Sequence, residues 1–319
     1  MKVKKIIPLF ILVMLWGVTT RAQQDASFSM FNNARLFYNP AYAGVEGVTN
    51  ITLITRSQWL GYNPTLDASG GAPNTQVLSL STPILRIRSG FGVHIVNDNL
   101  GNVNNLQGQV SYAYHLDINE AKMSFGIRAG MVAQSIDKDQ YRANDMDDPL
   151  LVFGRPTDVR PDLSAGVFYQ AEKYFLGLSF AHLLESEFDW GTEQTRSPLE
   201  NHLYFTAGYD YEFTYDITLT PSVLVKSDLN SYQFELGVIG TYREKFWGGL
   251  SFRQSEAAVA MLGYSLFKDN SLKIGYAFDY IVIAQEAKQF SSHEVMLNYS
   301  LPVVSGEGKK VIRTPRFRH

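Results

Sequence analysis

The stretch Leu106-Gln107-Gly108-Gln109-Val110-Ser111-Tyr112-Ala113-Tyr114-His115-Leu116 decides the fold. Leu106, Val110, Tyr112, Tyr114 and Leu116 share one parity with Gly108, while Gln107, Gln109, Ser111, Ala113 and His115 hold the other. Successive side chains of a β-strand point to opposite faces, so this segment has one apolar wall and one wet wall. The pattern recurs from about Thr49 to Leu301 in segments of about ten residues, the length of a tilted membrane-crossing strand. Hydrocarbon offers no hydrogen-bond partners, and each unpaired backbone group there costs several kcal/mol. Many such strands with no spanning helix among them therefore imply a sheet closed on itself.

The period predicts an all-β fold, a transmembrane antiparallel β-barrel of about 14 strands, with a short N-terminal periplasmic or plug segment. The strands begin near Thr49, Thr75, Gly90, Asn105, Lys122, Asp162, Lys173, His202, Asp216, Ser231, Lys245, Ala257, Ser271 and Ser292. Outward rows such as Met123, Phe125, Ile127 and Leu272, Ile274, Tyr276, Phe278 are apolar. The opposite rows carry His94, Arg128, Asp210, Lys226, Glu235, Arg253, Lys273 and Asp279. A midplane Arg or Lys facing lipid costs about 2–4 kcal/mol, and no mid-strand charge falls on the outward parity. Charges of both signs predict a bonded network that fills the lumen. Pro221 has no N–H for the ladder, so a bulge or local break is expected there. Glu172-Lys173, Thr214-Tyr215, Arg243-Glu244 and Lys268-Asp269-Asn270 read as tight periplasmic turns. Leu60–Asn74, Ser135–Pro161, Leu184–Asn201 and Val282–Ser291 read as longer extracellular loops.

The composition agrees with a barrel. The chain has 319 residues, 18 Tyr and 20 Phe, as aromatic girdles require, and its mean hydropathy is only −0.12 because half of each strand faces water. A net charge of −3 offers no footprint for nucleic acid. The absence of cysteine excludes disulfides and Cys-based zinc sites. Lys2, Lys4 and Lys5 before the apolar run Ile6–Val18, with a small-residue cut after Ala22, predict a cleaved signal peptide at 1–22. An N-terminal segment (23–48), the barrel (49–301) and a basic periplasmic tail (302–319) with Lys309, Lys310, Arg313, Arg316 and Arg318 follow.

Met30-Phe31-Asn32-Asn33 through Tyr38-Asn39-Pro40-Ala41-Tyr42-Ala43-Gly44 resembles the start of the PorP/SprF family, outer-membrane proteins of the type IX secretion and gliding system of Bacteroidetes. Arg56-Ser57-Gln58-Trp59 and Ser291-Ser292-His293-Glu294-Val295 match as well, with Ser-Ser standing where Gly-Ser is expected. The resemblance runs from about Ser29 to Leu301. It implies a multi-pass protein of the bacterial outer membrane that helps to export or retain surface adhesins bearing a type B C-terminal signal domain. The implied partners are the outer-membrane bilayer, those secreted proteins and other type IX components. A channel for a small solute is the alternative.

Candidate partner-binding residues are of two kinds. Asn39, Pro40, Tyr42 and Gly44 belong to a run whose turn chemistry suits a structural corner, a plug or a docking element. Trp59, Tyr62, Phe153 and Trp190 lie at extracellular loops, where exposed aromatics supply binding area; Phe188 is either such a contact or a girdle residue. His94 and His115 face the lumen on neighbouring strands, but no nucleophile motif accompanies them, so no enzymatic role is expected. Asn144, Asp145, Asp147 and Asp148 lack the spacing of a calcium loop. No metal or cofactor is expected.

Overall fold

The computed structural model describes residues 25–62, 71–138, 154–189, 197–267, 269–282 and 289–301. Its strands are β1 (Thr49–Ser57), β2 (Asn74–Ile84), β3 (Ser89–Leu100), β4 (Val103–Ile118), β5 (Ala121–Ile136) and β6 (Thr157–Gln170). After β7 (Tyr174–Ala181) comes a small hairpin, β8 (Glu187–Phe188) with β9 (Ser197–Pro198), and then β10 (His202–Tyr209) and β11 (Tyr211–Thr214). The wall is completed by β12 (Ile217–Ser227), β13 (Tyr232–Tyr242), β14 (Phe246–Arg253), β15 (Ala257–Leu266), β16 (Leu272–Ile281) and β17 (Ser291–Leu301).

Each wall strand pairs antiparallel with its neighbours, and β1 closes the ring on β17 from Thr49↔Leu301 to Ser57↔His293. The sheet holds fifteen strands; β10 and β11 share one place, so the barrel has fourteen positions. The alternation is realised residue by residue in β4. Leu106, Val110, Tyr112, Tyr114 and Leu116 are exposed to what would be lipid, whereas Gln107, Gln109, Ser111, Ala113 and His115 are buried in the lumen. Arg128, Lys226, Glu235, Arg253 and Asp279 all point inward and are buried.

The strand starts read from the period fall within two residues of those observed, with one exception. β6 begins at Thr157, five residues before the expected Asp162, and takes Pro161 into the strand opposite Met131. β6 tolerates that proline because its ladder to β7 covers only Ala165–Gln170; at Pro161 the β7 side has run out and no partner needs the missing N–H. Pro221 behaves as expected on one side only. Its register with Val238 of β13 is unbroken, but on the other side β10 stops at Gly208↔Ser222 and β11 resumes at Tyr211↔Leu219. The break falls where proline cannot donate.

Candidate functional site

The lumen is occupied by the N-terminal segment, and the order of its residues explains how. Met30, Phe31, Ala34, Leu36, Phe37, Tyr38, Ala41 and Ala43 are all at most 5% exposed although no strand contains them. A turn of 3-10 helix (Phe31–Asn33), one helical turn (Arg35–Tyr38) and a second 3-10 turn (Pro40–Tyr42) fold these residues into a compact plug. Phe28, Phe37 and Tyr38 meet edge to face with centroids 5.0–6.3 Å apart, and Tyr38 continues onto Tyr204 of the wall at 5.3 Å. Such contacts add about 0.5–1.5 kcal/mol each to simple burial.

Asn39, Pro40, Tyr42 and Gly44 are brought together here, buried against the wall rather than presented at a rim. Of the readings open to that run, plug packing is the one its geometry supports. The Asn39 carboxamide accepts from Ala41 N at 2.9 Å, capping the 3-10 turn, and donates to the carbonyls of Val167 (2.9 Å) and Leu178 (3.3 Å). The wall makes room with glycine: a Cβ at Gly126 would lie 2.2 Å from Ala41 N, one at Gly166 2.3 Å from Asn39 Oδ1, and one at Gly90 1.9 Å from the Ala43 carbonyl oxygen. Gly44 itself has φ +71° and its amide donates to Ser81 Oγ at 2.8 Å. Arg35 lies over the Phe175 ring at 3.9 Å, and Arg128 donates to the carbonyls of Leu36 and Phe37.

The start of the plug is held by charge. Ser29 N and Met30 N donate to Glu294 at 2.7 and 2.9 Å, and Ser29 Oγ donates to Asp279 at 2.6 Å. Arg56 lies 2.8 Å from Asp279 and 3.4 Å from both Glu294 and Glu256; Arg253 lies 2.8 Å from Glu235, 3.2 Å from Glu256 and 3.3 Å from Asp279. Both guanidiniums are at most 1% exposed, so each must be matched by acids and hydroxyls. Arg56 and Glu294, picked out above only as pieces of two short motifs, are one register pair across the closing seam. Sequence reading missed their joint role, because 238 residues separate them and only barrel closure brings them together.

A second cluster was missed altogether. Asp25 reaches His182, which follows β7, and Tyr204 donates to Asp25. His202, at the start of β10, stands beside His182 with ring centroids 5.8 Å apart. The residue pattern around these positions gave no motif; His182 and His202 flank a long loop, and Asp25 comes from outside the barrel.

The outer rim carries the other candidates. Trp59 and Tyr62 face each other with centroids 5.9 Å apart, and Trp59 has a positive φ of 48°. Trp59 N donates to Ser292 Oγ at 3.2 Å and Leu60 N to the Ser291 carbonyl at 2.9 Å, tying this corner to the opening of β17. Leu60 and Phe290 are 58% and 55% exposed beside it. On the same rim, in the β12–β13 turn, Asp228 is held below the usual carboxylate range: slight burial pushes it up, but the Ser231 and Asn230 amides donate to it and prevail. Phe153, Trp190 and the acidic run Asn144, Asp145, Asp147 and Asp148 lie outside the described residues, as does the basic tail. Phe188 corrects the expectation for it: it is 1% exposed and packs inward on Val132 and Leu199, neither girdle nor rim. His94 and His115 do not meet. His94 stands opposite Gln109 and near Phe37, while His115 lies six residues further along β4, roughly 20 Å at a strand's rise, with Nδ1 2.7 Å from Ser124 Oγ.

A fourteen-position ring with an apolar exterior and an internal plug defines the class: an outer-membrane β-barrel whose lumen is filled by its own N-terminal segment. The family described as "Type IX secretion system membrane protein PorP/SprF" matches residues 20–299, and the chain belongs to it. No curated protein matches this chain. Among solved structures, the Ralstonia pickettii toluene transporter TbuX is 12% identical, with 84% of this chain and 93% of that one covered and a TM-score of 0.50. The ΔS2S3 mutant of the TodX monoaromatic hydrocarbon channel is 11% identical over 84% and 94%, with a TM-score of 0.51. At such identities the likeness is one of fold alone.

Proposed function

We propose that this type IX secretion barrel serves as a docking platform that binds a secreted protein's type B C-terminal signal domain at its extracellular rim, and that it is not a solute channel. The observation that carries this reading is the plug: residues 28–45 are packed into the lumen by buried aromatics and anchored by the Arg56–Asp279–Glu294 cluster. A lumen so filled leaves the rim as the surface for a macromolecular partner. Leu60 and Phe290, both more than half exposed, with the half-buried Trp59–Tyr62 pair beside Leu60, form a ledge that supplies the apolar and aromatic area on which interfaces depend.

The test is binding of a fluorescent type B domain to the purified barrel in detergent micelles. Saturable binding is expected, weakened at least tenfold when Leu60 and Phe290 are both replaced by Ser; two apolar anchors at 1 kcal/mol or more each account for that factor. Saturable binding untouched by the double substitution removes the ledge from the site, and no binding at all defeats the docking reading. Planar-bilayer recording addresses the rival: steady ion-selective current through the intact protein would favour a channel.

A further inference from the structure

We propose that Asp25, His182 and His202 form a binding site for a divalent transition-metal ion of the zinc class, which clips the N-terminal plug to both ends of the β7–β10 connection. The ligand atoms of the three residues lie within 4.8 Å of one another. His182 Nε2 is 3.1 Å from both Asp25 carboxylate oxygens, close to the edge of about 3.3 Å in a tetrahedron of nitrogen and oxygen ligands around zinc. A metal ion therefore needs only His202 to draw in by up to about 1.5 Å.

His202 supplies the independent sign. Its Nδ1 lies 2.9 Å from the Glu200 carbonyl, which can only accept, so Nδ1 carries the proton and Nε2 is left as a bare acceptor. That Nε2 is buried without a hydrogen-bond partner, in a residue 1% exposed. An orphaned imidazole nitrogen in a dry site costs free energy unless something binds it, and a neutral imidazole with its far nitrogen fixed by a carbonyl is the usual form of a metal ligand.

The surroundings match a metal site's outer layer. His182 Nδ1 lies 3.1 Å from Asp162 Oδ1, both atoms otherwise without a hydrogen-bond partner, and Gln109 donates to the other Asp162 oxygen at 2.5 Å. A small turn of the His182 ring on metal binding would align the carboxylate–histidine–metal arrangement that orients the ring and raises its basicity. Tyr204 donates to Asp25, which leaves the carboxylate one oxygen for a metal. Three protein ligands leave a fourth position for water. The two carboxylates Asp25 and Asp162 balance the charge of a divalent ion. The remaining described histidines are placed elsewhere: His94 against Phe37, His115 on Ser124 and His293 on Tyr276.

The experiment uses tag-free protein purified in detergent, stripped with a chelator and dialysed against Zn2+, with bound metal measured by elemental mass spectrometry and Co2+ as an absorbing substitute. The wild type should take up one Zn2+ per chain and give the visible bands of a low-coordinate Co2+ site. His202→Ala and Asp25→Asn should lose both signals. Asp162→Asn should keep the stoichiometry but bind 10–100-fold more weakly, the range for loss of an outer-layer carboxylate. Each variant is scored only if it keeps the heat-modifiable gel mobility of a closed barrel, and the wild-type titration stands without any of them. A wild type that binds no Zn2+ above the detergent blank, or variants that bind as well as it does, overturns the proposal. None of these readouts involves secreted cargo, so their outcome is separate from that of the docking test.

Discussion

Replacing Gly126 by alanine should loosen the plug while leaving the barrel intact. The added Cβ would stand 2.2 Å from Ala41 N and 2.5 Å from the Pro40 carbonyl carbon, where ordinary contacts begin near 3.4 Å. Relief requires the Asn39–Gly44 turn to retreat by about 1.2 Å, yet Asn39 is tied to the Val167 and Leu178 carbonyls and Arg128 to the Leu36 and Phe37 carbonyls. Overpacking of this kind costs about 1–3 kcal/mol. If that cost falls on the plug-docked state alone, the undocked population rises about 5- to 140-fold, at tenfold per 1.4 kcal/mol. The chain has no cysteine, so a single reporter at Ala34, buried at 5% in the plug, reads the undocked population through its maleimide labelling rate. Gly108→Ala is the control, because a Cβ there meets nothing within 4 Å. The expected result is faster labelling in G126A and no change in G108A, with both proteins keeping heat-modifiable mobility. Equal rates in all three would refute the claim that the glycine wall seats the plug.

Arg56→Met should lower stability by about 3–5 kcal/mol, because Glu294 stays buried after Arg56 is gone and Asp279 is left to Arg253 alone; denaturant unfolding followed by tryptophan emission measures it. Arg243→Met, which breaks the exposed pair with Asp216 and a surface contact with the Tyr242 ring, should leave the same unfolding curve nearly unmoved. Ile127→Arg, at a position 60% exposed on the outer wall, should cost about 2–4 kcal/mol of folding into lipid vesicles, whereas the neighbouring native Arg128 is accommodated inside. Deleting residues 25–48 should convert a quiet barrel into a conducting one in planar bilayers; unchanged silence would mean that the wall's own side chains close the lumen.

The wall was legible because its signal is local. Leu106 to Leu116 declares its two faces within one segment, and the parity of Arg128, Lys226 and Asp279 follows from neighbours two residues away. The start of β6 was misplaced because Pro161 argues against a strand locally, and only the shortness of β7 makes it acceptable. The Asn39–Gly44 run announced a turn but not its seat, since that depends on Gly90, Gly126 and Gly166, contributed by three separate strands. The meeting of Asp25 with His182 and His202 has no local trace at all. Phe188 misled because its apolar character fits a girdle, a rim and an interior equally well.

Arg56 sits on the first strand and Glu294 on the last, and they face each other across the join where the ring shuts. Ser29 and Met30 bind the same acid from inside. A nascent chain that has not yet brought its two ends together thus lacks half of the socket for its own stopper. Zipping the final seam and seating the stopper become a single late step in biogenesis, and a barrel caught with its ends apart would be a barrel with its throat unobstructed.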